Sequence, residues 1–217
     1  MQITVTYAVA AAFLVGLCGP ADAGSARTSQ AFVQSGVIVD PHTFFTAATT
    51  EHDAGTVQVV PDSVESRALV TEEGVYAFLE TPENQEALAE TEPGSVVWIE
   101  GKLVESGALL HIDVLKKINK VPLIDFARFR NDAGREVVLK GMNKCQCGMD
   151  VADLPHSCQL GHLHHLEAAD GKIYHYLQFA AGKGAFLGEG SHFKGVEVKG
   201  RALPGNYLVV ENVKVEE

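Results

Sequence analysis

Val97-Trp98-Ile99-Glu100-Gly101-Lys102 and Val196-Glu197-Val198-Lys199-Gly200-Arg201 are the two stretches on which the fold turns. Each runs through alternating residues to a glycine followed by a base, the period-two pattern of a strand with one buried face. Upstream of each, by roughly twenty residues, lies a turn and another alternating run. In the first half this is Glu73-Gly74-Val75-Tyr76-Ala77-Phe78-Leu79, and in the second Asp170-Gly171-Lys172-Ile173-Tyr174-His175-Tyr176-Leu177. Downstream, each turns into a final strand, Leu109 to Leu115 and Leu208 to Val215. Gly101 matches Gly200, and Val114 matches Val213 at the same offset. Three blocks agreeing in order and spacing read as an internal duplication.

Each copy reads as strand, long connection, strand, turn, strand, short helix, strand, turn, strand. The first copy has strands near 32–39, 67–71, 75–80, 95–103 and 108–117. Its helix covers Pro82 to Glu90, with Thr81 as N-cap and Pro82 at the first helical position. The second has strands near 136–143, 164–169, 172–178, 194–202 and 207–216, and Gly182, Gly184, Gly188 and Gly190 weaken the helix between them. Lys120 to Arg130 joins the copies. The expected class is mainly β: two tandem small five-stranded barrels, residues 32–119 and 134–217, each with a short helix. This element order resembles the OB-fold, a five-stranded, partly open Greek-key barrel. The resemblance implies that the connection after the first strand is a ligand-bearing loop. The nucleic-acid binding common in that fold is not carried over, because the basic groove and stacking aromatics are missing.

The whole chain agrees with that exclusion. Its 217 residues carry 17 Lys and Arg against 28 Asp and Glu, a net charge of −11. Such an acidic surface suits neither nucleic acid nor anionic lipid. Residues 1–23 read as a secretory signal peptide, with an apolar stretch from Ala8 to Leu17 and the small pair Ala21 and Ala23 before the cut. The segment departs from the pattern in having no Lys or Arg before Tyr7. Cys18 offers a lipoprotein alternative, against which Leu17 stands where a small residue is wanted. The expected compartment is therefore periplasmic or extracellular, with no membrane attachment after cleavage. Cleavage would leave three cysteines, Cys145, Cys147 and Cys158, in an oxidising compartment. At least one of an odd number is then a thiol, a metal ligand or a link to another chain.

All three fall in the connection after the first strand of the second copy, with six of the nine histidines between positions 156 and 192. The comparable place in the first copy is Asp40-Pro41-His42-Thr43, without cysteine. A scaffold needs its core in both copies, whereas a specialised site needs its donors once. In an extended segment Cys145, Cys147 and Met149 share a face. On a helix opened by Asp153 and Pro155, Cys158, His162 and His165 share one. The Cys145, Cys147, Cys158 and His162 set is a closed tetrahedral group of the zinc type. The thioethers of Met142 and Met149 add soft donors, so the expected cargo is Zn(II) or Cu(I). His156, His164 and His165 stand by as auxiliary ligands, and Asp150 and Asp153 as carboxylates that would orient a ligand imidazole.

Alternatives stay open. Cys145 or Cys147 paired with Cys158 would pin the loop by a disulfide and make the chain a non-catalytic interaction module. A low-pKa thiolate would suit thiol–disulfide exchange, but no Cys-x-x-Cys occurs. No Gly-x-Ser-x-Gly elbow, P-loop or dinucleotide motif is present, and Glu167 alone does not make a catalytic zinc site. His42 and His52 read as loop residues, and His111, between Leu110 and Ile112, as a solvent-facing strand residue. Tyr174 and Tyr176 correspond to Tyr76 and Phe78 and read as barrel aromatics, while His175 takes the place of Ala77 on the opposite face. The function expected is an exported metal-binding protein acting in binding, sensing or handover, its partners a metal ion and another exported protein.

Overall fold

The computed structural model describes residues 27–45, 67–79, 81–145, 151, 164–178 and 193–216. The protein is mainly β, two tandem five-stranded closed barrels consistent with OB-like folds. The first barrel contains β1 (Gln30–Val39), β2 (Ala68–Val70), β3 (Val75–Phe78), β4 (Val96–Val104) and β5 (Leu109–Lys117). The second contains β6 (Arg135–Cys145), β7 (His164–Ala168), β8 (Ile173–Gln178), β9 (Lys194–Leu203) and β10 (Tyr207–Val215). The orders are β1-β2-β3-β5-β4 and β6-β7-β8-β10-β9. In each, the third strand meets the fifth in parallel, Ala77 beside Leu109 and Tyr207 beside His175, and every other pairing is antiparallel. Short helices are α1 (Pro41–Phe44), α2 (Pro82–Ala89) and α3 (Phe126–Arg130), the last in the link between barrels. No helix among the described residues is long and apolar enough to cross a membrane.

The repeated glycines are where the backbone crowds itself. A Cβ on Gly101 would lie 1.9 Å from the His111 carbonyl oxygen, and one on Gly200 2.1 Å from that of Val209. Beside each the fifth strand bulges, at Asp113 in one barrel and Glu211 in the other. A bulge sharpens the bend of the strand, which closing a five-stranded barrel requires. One correction follows from the register. Glu100 pairs with Val114, and Lys199 pairs with Asn212. Asn212, not Val213, is therefore the counterpart of Val114. The turn Pro204–Asn206 is one residue shorter than Glu105–Ala108, so the offset changes across it.

Helix α2 starts where its chemistry says. Thr81 accepts from the Asn84 amide at 3.2 Å, and Pro82 occupies the first turn. Asn84 is buried and fills the space between β3 and β5. It donates to the carbonyls of Leu79 (2.7 Å) and Leu110 (2.9 Å) and accepts from the Ile112 amide (2.7 Å). Leu88, fully buried, reaches the inner core of Ile38, Leu69, Phe78, Ile99 and Leu110. Arg67 donates to the Leu88 carbonyl and so caps the helix C-terminus.

Part of the outer face of each barrel is covered by the other. Val75, Ala77, Leu79 and Leu109 of the first pack with Ile173, Leu177, Tyr207 and Val209 of the second in one buried cluster. The contact is pseudo-symmetric, because each barrel's β-turn before its last strand lies on the third strand of its neighbour. Gly107 approaches Ile173 from one side, and Gly205 approaches the Val75 carbonyl from the other. His175 donates from Nε2 to the Gly107 carbonyl at 2.6 Å, and Asn206 donates to the Ser106 carbonyl at 3.3 Å. Arg27 adds a clasp, with Ser106 Oγ (3.0 Å) on one side and Glu167 (3.0 Å) and the Gly171 carbonyl (2.8 Å) on the other.

Candidate metal centre

Cys145 ends β6 and His164 begins β7, and the two are direct antiparallel partners. Residues so placed have Cα atoms about 4.5–5.5 Å apart with side chains on one side. The two ends of the Cys/His-rich connection are therefore held together. Strand alternation sets both on the face that carries Asn143 and Leu166, the inner face of the second barrel. Cys145 is 1% exposed and His164 half-buried. Asn143 is fully buried and accepts a hydrogen bond from the Tyr176 hydroxyl at 3.3 Å. Burial pushes the Tyr176 hydroxyl well above its ordinary pKa, so it stays a donor.

The first barrel shows what the same scaffold does without this chemistry. Ile38 faces Leu69 there, as Asn143 faces Leu166. One step further, Asp40 and Arg67 occupy the places of Cys145 and His164. Asp40 caps α1 through the amides of His42 and Thr43, and Arg67 caps α2. A mouth held by two structural caps in one barrel thus presents a thiol, an imidazole and a carboxamide in the other.

The connection has a third fixed point. Val151 is buried in the seam between the barrels and bridges in parallel to Arg27. Cys147, Met149, His156, Cys158 and His162 lie outside the described residues, as do Asp150, Asp153, His52 and His192. Met142 is on the outer face, 38% exposed, so it does not face Cys145.

His165 departs from the helical face expected for it with Cys158 and His162. It lies in β7, and alternation turns it away from Cys145 and His164 to the outer face. There it stands between Lys144 on β6 and His175 on β8, its direct partners in the register. His165 is 1% exposed, and among the described residues neither ring nitrogen has a hydrogen-bond partner. Burial, with the neighbouring His175, Arg27, Lys144 and His164, pushes its pKa down to about 3. Burial also lowers His175 to about 4, against the opposing effect of its hydrogen bond to Gly107. Glu167 binds both Lys144 (2.9 Å) and Arg27 (3.0 Å). Burial opposes its ionisation, but the two cations outweigh burial and hold the carboxyl below its usual range.

Among the described residues, no three His, Cys, Asp or Glu side chains converge on one point. Tyr174 lies in the second barrel's inner core with Tyr176 packed on it, and His175 points the other way, as the repeat alignment indicates. His111 is a correction: it is buried at 7% exposure rather than solvent-facing. Alternation gave its face correctly but not that the face is covered. The pairing of His165 with His175 escaped sequence reading because it depends on register. Its signal was present in the alignment, which sets these histidines against Ala68 and Ala77, a pair in the first barrel. No known family model, curated protein or solved structure matches the chain.

Proposed function

We propose that this is an exported transition-metal-binding protein whose second barrel takes Zn(II) or Cu(I) through Cys145, Cys147, Cys158 and His162, with His164 beside Cys145. The single observation behind this reading is the pairing of Cys145 with His164 at the barrel mouth, where the sister barrel has Asp40 and Arg67. In the sequence, Cys147 and Met149 fall between Cys145 and Val151. Thiolates with one imidazole suit a four-coordinate Zn(II) site, and the soft sulfur set equally suits Cu(I). Surplus donors at His156, His164 and Met149 favour handover to another exported protein, since an ion can pass among overlapping sites.

Elemental analysis of untagged protein recovered from the periplasm tests the proposal, with a Cys145/Cys147/Cys158→Ser variant as control. The expected result is bound Zn or Cu in the parent and its loss in the variant. Metal content unchanged by the triple substitution overturns the reading. Thiol counting under denaturing conditions adds a second arm. Three titratable thiols after chelation support the metal site, and a single thiol points instead to a disulfide-pinned interaction loop. Ligand thiolates must be deprotonated, so acid is expected to release the metal.

A further inference from the structure

We infer that His165 and His175 form a second, nitrogen-donor metal site in the seam between the barrels, distinct from the cysteine loop. Four observations converge on it. The two histidines are direct cross-strand partners on β7 and β8, with both side chains on the outer face of the second barrel. Neighbours in that relation have Cβ atoms about 4.5–5.5 Å apart, a spacing at which two imidazoles can chelate one ion. Cys145 and His164 face the other way, so one strand presents adjacent histidines to two different places.

The scaffold does not ask for these residues. At the matching positions of the first barrel the pair is Ala68 and Ala77, which sit in the same buried seam. Two polar rings in a seam that closes over alanine elsewhere need a reason beyond packing, because a buried polar group without a partner costs about 1–3 kcal/mol. His165 is such a group, at 1% exposure with both ring nitrogens unpartnered among the described residues.

The lone pairs are also set for a cation. His175 donates its Nε2 proton to the Gly107 carbonyl, which fixes the tautomer and leaves Nδ1 as the basic atom. That carbonyl-held imidazole is the usual support of a metal-ligating histidine. The nearby cations Lys144 and Arg27 are both engaged by Glu167, which offsets one of their two charges. Imidazole donors suit borderline divalent ions such as Zn(II), Ni(II) or Cu(II), with water completing the shell.

The test titrates Zn(II) into untagged, chelator-treated full chain, reading bound metal by equilibrium dialysis and Co(II) substitution by absorbance. The variant His165→Ala/His175→Ala installs the pair around which the first barrel already closes. It is expected to lose one equivalent of Zn(II) and to keep the thiolate-to-cobalt band of the loop site. Cys145/Cys147/Cys158→Ser is expected to lose that band and keep the histidine-dependent equivalent. If the double-alanine variant binds as much Zn(II) as the parent, with superimposable Co(II) titrations, the inference is overturned and the loop proposal stands. If all metal uptake depends on the two histidines, the loop proposal falls instead. Should the double variant fail to fold by far-UV circular dichroism, His175→Gln serves, with affinity at this site expected to fall at least about tenfold. An unchanged affinity in that variant likewise overturns the inference.

Discussion

Gly101 and Gly200 have no positive φ, so their need is for space alone: the carbonyl of the bulged fifth strand lies where a Cβ would be. Backbone cannot swing aside as a side chain can, so Gly101→Ala and Gly200→Ala are each expected to cost on the order of 1–3 kcal/mol or more. For a chain of this length that is a drop in Tm of about 2–4 °C per kcal/mol, read in a thermal melt. An unchanged Tm in both variants would show that the bulge relaxes freely. His111 makes a second prediction. Its carbonyl is the one Gly101 approaches, and the matching residue in the other barrel is Val209. Burial lowers the His111 pKa below 6.5 despite the opposing carboxylates of Asp113 and Glu83. The unfolded chain therefore binds the proton more readily, and stability is lost as pH falls below about 6.5. His111→Val is expected to flatten this acid limb in urea titrations between pH 8 and 5, and an identical pH profile for parent and variant rejects it. The glycines were legible because crowding leaves only one residue type possible. His111 was not, because alternation assigns a side chain to a face without saying what covers that face.

Helix α2 shows which parts of an element are local. Thr81 and Pro82 announce its start in the sequence, and the structure begins the helix there. Asn84 announces nothing, since its three partners are the residue after β3 and two residues of β5. Removing it leaves the Ile112 amide without its acceptor and takes one of two donors from the Leu79 and Leu110 carbonyls, which keep the amides of Thr81 and Leu79. Asn84→Ala is expected to cost about 1–3 kcal/mol, chiefly from the buried amide left unpaired. Thr81→Ala, losing a single cap bond, should cost about 0.5–2 kcal/mol. Urea denaturation of both variants checks the order, and a Thr81 cost exceeding that of Asn84 would refute the stitching role. β7 carries the complementary lesson. Two patterns competed for His165, a helical face with Cys158 and His162, and the strand implied by the duplicate. Closure of the barrel needs a strand between β6 and β8, and that long-range demand overrides a local spacing. The clustering of cysteine and histidine was legible, whereas the division of adjacent histidines between two faces waited on the register.

At the scale of the molecule, the two barrels share a core rather than merely a link. β3 and β8 are packed on both faces because one side lines a barrel and the other lies in the seam. Neither barrel can expose its seam to water without a large apolar cost, at roughly 25 cal/mol per Å² uncovered. The pair should therefore unfold as one cooperative unit, with calorimetric and van't Hoff enthalpies in agreement. Gly205 is the point at which to break that coupling. Its φ of +72° disfavours other residues, and a Cβ there would meet the Val75 carbonyl at 2.5 Å. The mirrored contact at Gly107 is with a side chain, Ile173 at 3.1 Å, which can yield, so the Gly205 side is the more rigid hinge of the interface. Gly205→Val is expected to prise that side open and separate the single endotherm into two. Two resolved transitions already in the parent would mean that the seam couples the barrels weakly. A single sharp endotherm in Gly205→Val, unshifted from the parent, would mean that the turn is not where they are joined.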